Sequence, residues 1–227
     1  MGAVKREDEY DWTKPVYMTE DEYLEFIETT EERYEFYDGW VRPLSKLIRA
    51  VPVDMAGGSE DHALLTANCI GAARDATRGK DCRVYSPDLH VKAKDDARWT
   101  FPDVTIVCGP SEKDDRKKEA VNNPAVIIEI LSPTTERYDR TSKFEKYTRI
   151  ESLQHYVLVE SDRPAVQVLT RKTPGEGGTW GMDYWLGRDA VVKLHNIDAE
   201  LPLSTIYENL EFDAEAEAAG QVQPPED

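Results

Sequence analysis

Apolar and polar positions change period several times along the chain, and each change marks an element. Thr19 with Glu22 three residues on forms a capping box, and Tyr23, Leu24 and Ile27 behind it make an apolar stripe, which predicts a short helix. Tyr34 to Leu44 reads as a strand pair or bent strand around the turn dipeptide Asp38-Gly39, with aromatic residues on both sides. A piece containing Gly57 and Gly58 reads as flexible. His62, Leu65, Cys69, Ala73 and Ala76 then recur at helical spacing, predicting a helix over 60–77 whose small residues allow close packing on a sheet. Strands are predicted over 83–94, 101–108 and 122–131, with a charged, exposed loop over 109–121. A helix over 139–150 follows, then strands over 155–160, 165–171 and 180–186, and a final short element within 194–210. Residues 1–18 show no periodicity and read as an arm, and residues 211–227 read as an acidic, disordered tail.

The order α-β-β-β-α-β over residues 60–160 predicts an α/β (α+β) architecture, a mixed sheet with a helix on each face. An added helix/strand unit precedes it and further strands follow it, within one domain over 19–210. The length agrees, because 227 residues with a 40% apolar fraction can bury one sizeable core.

The third strand carries the first chemical clue. Ala125 to Leu131 is apolar on both faces, as a central strand should be, yet Glu129 lies in its middle beside Ile127 and Leu131. A carboxylate there faces a steep desolvation cost unless a cation, a hydrogen-bond donor or a proton accompanies it. Asp103, after Pro102, heads the neighbouring apolar run 104–108, so the two acids can meet at one end of the sheet. Lys143 shares with Tyr147 and Ile150 the helical stripe that should pack on the sheet, so its ammonium reaches toward buried groups, whereas Lys146 is expected to point elsewhere. Two carboxylates on neighbouring strands suit Mg²⁺ or Mn²⁺, a hard ion that keeps waters and needs few protein ligands. The lysine could then orient a hydrolytic water or stabilise charge developing on phosphorus. The plainer alternatives are a structural Glu129–Lys143 ion pair and a turn role for Asp103.

Charge restrains any nucleic-acid reading. The formal charge is −17, and removing the six acids of residues 211–227 still leaves −11. Phosphate contacts must therefore come from a local patch, and binding should be strongly salt-sensitive. Arg137, Arg140, Lys143, Lys146 and Arg149 recur every third residue, but each step slips about 60° around the axis, so they form no single face. Lys113, Arg116, Lys117 and Lys118 in the charged loop are better phosphate candidates, diluted by Asp114, Asp115 and Glu119. Cys69, Cys82 and Cys108 are odd in number and far apart, and read as reduced thiols. No stretch approaches the roughly 18 apolar residues of a membrane span, and the charged start lacks a signal-peptide core, so a cytoplasmic protein with no membrane partner is expected.

Several of these motifs together resemble a known family. Phe-Pro-Asp-Val-Thr-Ile-Val (101–107), Ala-Val-Ile-Ile-Glu-Ile-Leu-Ser-Pro-Thr-Thr (125–135), Tyr-Asp-Arg-Thr-Ser-Lys-Phe-Glu-Lys-Tyr (138–147) and Leu-Gln-His-Tyr-Val-Leu-Val (153–159) are similar to the Uma-two family of the PD-(D/E)XK nuclease superfamily. With Tyr34-Glu35, Asp38-Gly39 and 201–207, the resemblance covers roughly residues 18–210. It implies a restriction-endonuclease-like fold and a Mg-dependent endonuclease acting on DNA, with Asp103 matching the first acid and Glu129 the second. The superfamily pattern sets a lysine two residues after the second acid, where this chain has Leu131, so Lys143 on the next helix would supply it. Glu35 matches an early acid of the family, a further ligand or water-holding group, or else a solvated strand acid. His62, on the apolar face of its helix, is a satisfied core histidine or a base. Tyr147 reads as packing plus a hydrogen bond to the site, and Asp88 as a turn residue. Two readings compete with the endonuclease: a scaffold or binding protein that keeps the fold, and a phosphodiesterase acting on a smaller substrate, which an acidic surface tolerates better. Trp180, Tyr184 and Trp185 lie either at a homodimer surface or in a second small core.

Overall fold

The computed structural model describes residues 5–12, 14, 16–43, 59–93, 98–116, 120–133, 136–174 and 178–219. Gly57 and Gly58, Leu44, Lys94, Lys117, Lys118 and residues 220–227 lie outside the described residues. The elements in order are β1 (Val16–Tyr17), α1 (Glu20–Ile27), β2 (Tyr34–Tyr37), β3 (Trp40–Pro43), α2 (Glu60–Ala76), β4 (Cys82–Tyr85), β5 (His90–Lys92), β6 (Trp99–Thr100), β7 (Val104–Cys108), β8 (Ala120–Val121) and β9 (Val126–Ile130). A helical segment follows in three parts, α3 (Glu136–Tyr138), a π turn (Asp139–Lys143) and α4 (Phe144–Tyr147). The chain continues through β10 (His155–Val159), β11 (Ala165–Arg171), β12 (Trp180–Leu186), β13 (Val191–Leu194), β14 (Ala199–Pro202), α5 (Leu203–Ile206) and α6 (Ala214–Ala219).

The main sheet has the order β12-β11-β10-β9-β7-β4. β9 runs parallel to β10 and antiparallel to β7, so it is a central strand flanked on both sides. This is the predicted αβββαβ unit, with α2 first, then β4, β7 and β9, then the helical segment and β10. One face buries Leu65, Cys69 and Ala73 of α2 against Val126, Ile128 and Ile130, extended by β13, β14 and α5. The other face sets Tyr147, Ile150 and Tyr156 against Ile127, Leu131 and Leu158.

The predicted strand over 83–94 divides between two sheets. Pro87 and Asp88 form a turn, Ser86 Oγ donating to Asp88 Oδ2 at 3.1 Å, and β4 stays in the main sheet while β5 joins a second one. That second sheet, β1-β3-β2-β6-β5-β8, carries a separate core of Tyr23, Phe26, Tyr34, Phe36 and Trp99. Its β2–β3 hairpin turns at Asp38 (φ 47°) and Gly39 (φ 89°), the double left-handed turn whose twist suits two adjoining strands. α1 begins with the predicted capping box, Thr19 and Glu22 bonding reciprocally.

Three expectations are corrected. The arm is partly ordered, because Val16 pairs with Val41 and both Val16 and Met18 are buried, an apolar pattern too short to show a period. Within the acidic tail, residues 214–219 are helical and Glu217 pairs with Arg188 at 2.9 Å. Cys82 and Cys108 are not separate thiols: the antiparallel β4–β7 register sets them opposite each other and they are disulfide-bonded, which a sequence separation of 26 hides. Cys69 is free and buried. Trp180 packs on Phe144 and Trp185 against the α2-side core, which favours the packing reading, while Met182 and Tyr184 of the edge strand β12 stay exposed. Among the described residues no helix is long and apolar enough to cross a membrane.

Ile128 lies at the centre of the α2-side core with 1% exposure. Ile128→Ala is expected to destabilise the protein by about 3–4 kcal/mol, read from the urea midpoint at unchanged m.

Candidate active site

Glu129 sits mid-strand in β9, opposite Leu158 of β10, with 1% exposure. The same register between β7 and β9, Val104 opposite Ile128, continued by one residue, sets Asp103 opposite Glu129. Asp103 accepts a hydrogen bond from the Ile130 N–H at 2.8 Å, so the strand that carries one acid also anchors the other. Both oxygens of Glu129 are engaged from the helical segment, Oε2 by Lys143 Nζ at 2.9 Å and Oε1 by the Tyr147 hydroxyl at 2.8 Å. The expected convergence of Asp103, Glu129 and Lys143 is therefore present, with Tyr147 in its expected place.

Two site residues escaped the sequence reading. Asp139 is buried and its Oδ1 lies 3.1 Å from Lys143 Nζ, which places the ammonium between two carboxylates. Its own carbonyl accepts from the Tyr156 hydroxyl at 2.9 Å. The signal was available, since Asp139 and Lys143 are four apart in the helical segment and face the same way. Lys146, expected to point elsewhere, is buried as well, with Nζ 4.4 Å from the Tyr37 ring centroid and 4.8 Å from that of Tyr138, bonding to the Tyr138 hydroxyl. Three residues along a helix is only about 60° from Lys143, and the second sheet covers that flank with Tyr37.

Glu35 belongs to this flank and is no solvated acid. It is 2% exposed, its Oε2 accepts from Tyr138 at 2.9 Å, and its buried Oε1 has no hydrogen-bond partner among the described residues. His62 is half-buried on α2 with Nε2 3.6 Å from Asp103 Oδ2, so it faces the first acid. Arg116 of the charged loop is taken up by Glu20 and Asp21, which removes it as a phosphate contact. Arg140 is likewise spent inside the fold, on Glu136, Glu160 and Gln167.

The electrostatics follow from three acids around one ammonium. Burial raises the Glu129 carboxyl well above its ordinary value, and Asp103 and Asp139 push the same way against Lys143. Burial opposes the charge on Lys143, but Glu129 and Asp139 together hold it well above the ordinary lysine value. Asp103 is pushed up by burial, yet His62, Lys143 and the Ile130 N–H outweigh this and keep it low. Asp103 in turn raises His62. Burial pushes Lys146 down to about 8, with Arg42, Lys143 and Arg98 acting in the same direction against Glu35.

A mixed sheet in αβββαβ order, with two acids meeting across neighbouring strands and a helix-borne lysine between carboxylates, defines a restriction-endonuclease-like fold. Its likeness to a solved structure agrees: a "putative nuclease belonging to DUF820" from Anabaena variabilis aligns with TM-score 0.60 and 18% identity, over 84% of this chain and 97% of that one. The family model Uma2, described as "Putative restriction endonuclease", matches residues 20–181, and the chain belongs to this family. Two uncharacterized proteins of Synechocystis sp. are similar at 27% identity, one over 86% of this chain and 94% of its own length, the other over 63% and 75%. Family and fold together support a nuclease-like function.

Two outcomes are expected from the site's charges. Lys143→Met should destabilise by about 3–5 kcal/mol by leaving buried carboxylates uncompensated, and adding Glu129→Gln should recover part of that loss in chemical denaturation. Lys146 titrates lower in the folded protein than unfolded, so the unfolded chain binds more protons between pH 8 and the ordinary lysine range. Stability should therefore gain from this group as pH rises through that window, and the difference between wild type and Lys146→Met, measured by urea titration at several pH values, should show it.

Proposed function

We propose that the protein is a divalent-metal-dependent endonuclease that hydrolyses phosphodiester bonds of DNA. The observation that carries this reading is the placement of Asp103 opposite Glu129 with Lys143 2.9 Å from the second acid. Among the described residues no three His, Cys, Asp or Glu side chains converge as a ready metal cage. The donor set nevertheless fits Mg²⁺ or Mn²⁺, because two hard carboxylates suffice for ions that keep most of their waters. A carboxylate offers about four lone-pair directions, so Glu129 can serve an ion while still accepting from Lys143 and Tyr147. Glu129 and Asp139 are buried against one ammonium, and burial raises the Glu129 carboxyl, so a cation at this place would favour its charged form.

Asp103 and Glu129 are the residues that would hold the ion, which supplies charge neutralisation at phosphorus and a more acidic water. The remaining work falls to the chain itself. Lys143, held cationic by Glu129 and Asp139, donates toward the attacking water or a non-bridging phosphate oxygen. Tyr147 fixes the Glu129 carboxylate, and His62 with the Ile130 N–H fixes that of Asp103. Glu35, buried with one oxygen that has no partner among the described residues, is placed to accept a hydrogen bond from a water.

The test is a Mn²⁺-dependent cleavage assay on single-stranded, duplex and branched DNA, alongside calorimetric metal titration. Asp103→Ala should abolish metal binding, and Lys143→Ala should lower cleavage by a factor of about 10²–10⁴ while retaining it. Undiminished cleavage in Lys143→Ala removes that residue from the mechanism, and no binding at millimolar metal overturns the enzyme reading.

A further inference from the structure

The face of the second sheet that brings Glu35 to the active site continues past it to residues that the reaction itself does not use. Alternate residues of β1, β2 and β3 point inward as Val16, Phe36 and Val41, all buried in the aromatic core. The opposite set is Tyr17, Glu35, Tyr37, Trp40 and Arg42, with Tyr17 directly opposite Trp40, Trp40 directly opposite Tyr37 and Arg42 directly opposite the buried Glu35. Tyr17 is 59% and Trp40 37% exposed, and their ring centroids lie 3.7 Å apart. Two large aromatics left in water side by side need a reason, since neither fills the core beneath them.

From this pair a row of rings and cations leads to the active site. Arg98 lies over the Tyr37 ring at 4.7 Å, and Lys146 sits between Tyr37 and Tyr138. Arg42 covers Tyr138 at 4.8 Å, and Lys143, the partner of Glu129, is 5.9 Å from the same ring. Arg98 also pairs with Asp38 at 2.8 Å, and Glu35 is the acid beneath Tyr138. Beside the Lys143–Glu129 pair, the row thus holds three cations, Arg42, Arg98 and Lys146, against two acids, Asp38 and Glu35, in a chain of formal charge −17.

We propose that this face is a binding track for single-stranded nucleic acid, with bases stacking on Tyr17 and Trp40 and phosphates meeting Arg42 on the way to Glu129, while Arg98, held by Asp38, fixes the Tyr37 ring. The proposal rests on the nuclease reading for its direction. A base can offer its flat face to Trp40 only when unpaired and unstacked, which a duplex interior forbids. A duplex also brings a higher phosphate charge density than a single strand, to which the acidic body is more repellent. Lys146, almost fully buried, holds the Tyr37 and Tyr138 rings in place and leaves phosphate contact to Arg42.

Binding is measured by fluorescence anisotropy with the full chain carrying Asp103→Asn, without divalent metal, using labelled single strands of DNA and RNA and a duplex of equal length. The single strands are expected to bind more tightly than the duplex. Trp40→Ala and Tyr17→Ala should each weaken single-strand binding about tenfold, with unchanged circular-dichroism melting because both side chains are exposed. Arg42→Gln should lower the slope of log K against log salt by about 0.7. Duplex bound as tightly as single strands, or affinity unmoved by both aromatic variants, overturns the track. Strand binding in a protein whose wild type never cleaves defeats the nuclease reading and leaves the track standing; cleavage indifferent to Trp40→Ala and Tyr17→Ala does the reverse.

Discussion

A carboxylate buried in the middle strand of the main sheet is the constraint from which the rest of the site follows. Glu129 has apolar strands on both sides and an apolar layer above it, so its charge must be met from the helical segment that packs there. Lys143 and Tyr147 meet it, one oxygen each, and thereby fix how that segment lies on the sheet. Lys143 is itself a buried charge and is shared with Asp139, so the compensation passes outward through a small network. Asp103 joins the network by strand register and is tied to β9 through the Ile130 N–H.

Much of this was legible because it depends on local pattern. An acid between isoleucines in 126–130, an acid at the head of the next apolar run and a lysine on the inward stripe of the following helix are all visible in one sequence. The αβββαβ order of the main sheet from α2 to β10 was legible for the same reason, while β5, β6 and β8, which leave it for the second sheet, were not. The hairpin at Asp38-Gly39 announced itself through its turn chemistry.

What escaped depends on contacts between segments distant in the chain. The burial of Lys146 is decided by Tyr37 from a sheet about a hundred residues upstream, and no periodicity within its own helix reports that. The division of 83–94 between two sheets turns on whether Pro87 ends a strand or bends it, and only the partners of β4 and β5 decide. The Cys82–Cys108 bond requires the β4–β7 register, which the spacing of the cysteines does not encode. Exposure of Tyr17 and Trp40 is equally invisible, since an aromatic residue in a strand usually reads as core.

The π turn at Asp139–Lys143 accommodates one residue more than an α-helix would over the same span, in the middle of the segment that serves the site. Upstream of it lies Tyr138, which reaches Glu35, and downstream lies Tyr147, which reaches Glu129. Because the wider turn takes up one residue more for nearly the same winding, the helices on either side keep their angular phase, and Tyr138 and Tyr147 face different sheets as they would along an unbroken helix. A deletion that closed the turn to α-helical winding would leave those two contacts in place and fall on the turn's own pair, Asp139 and Lys143, which meet at 3.1 Å. The length of the turn is therefore a property of the charge network and not of the packing around it.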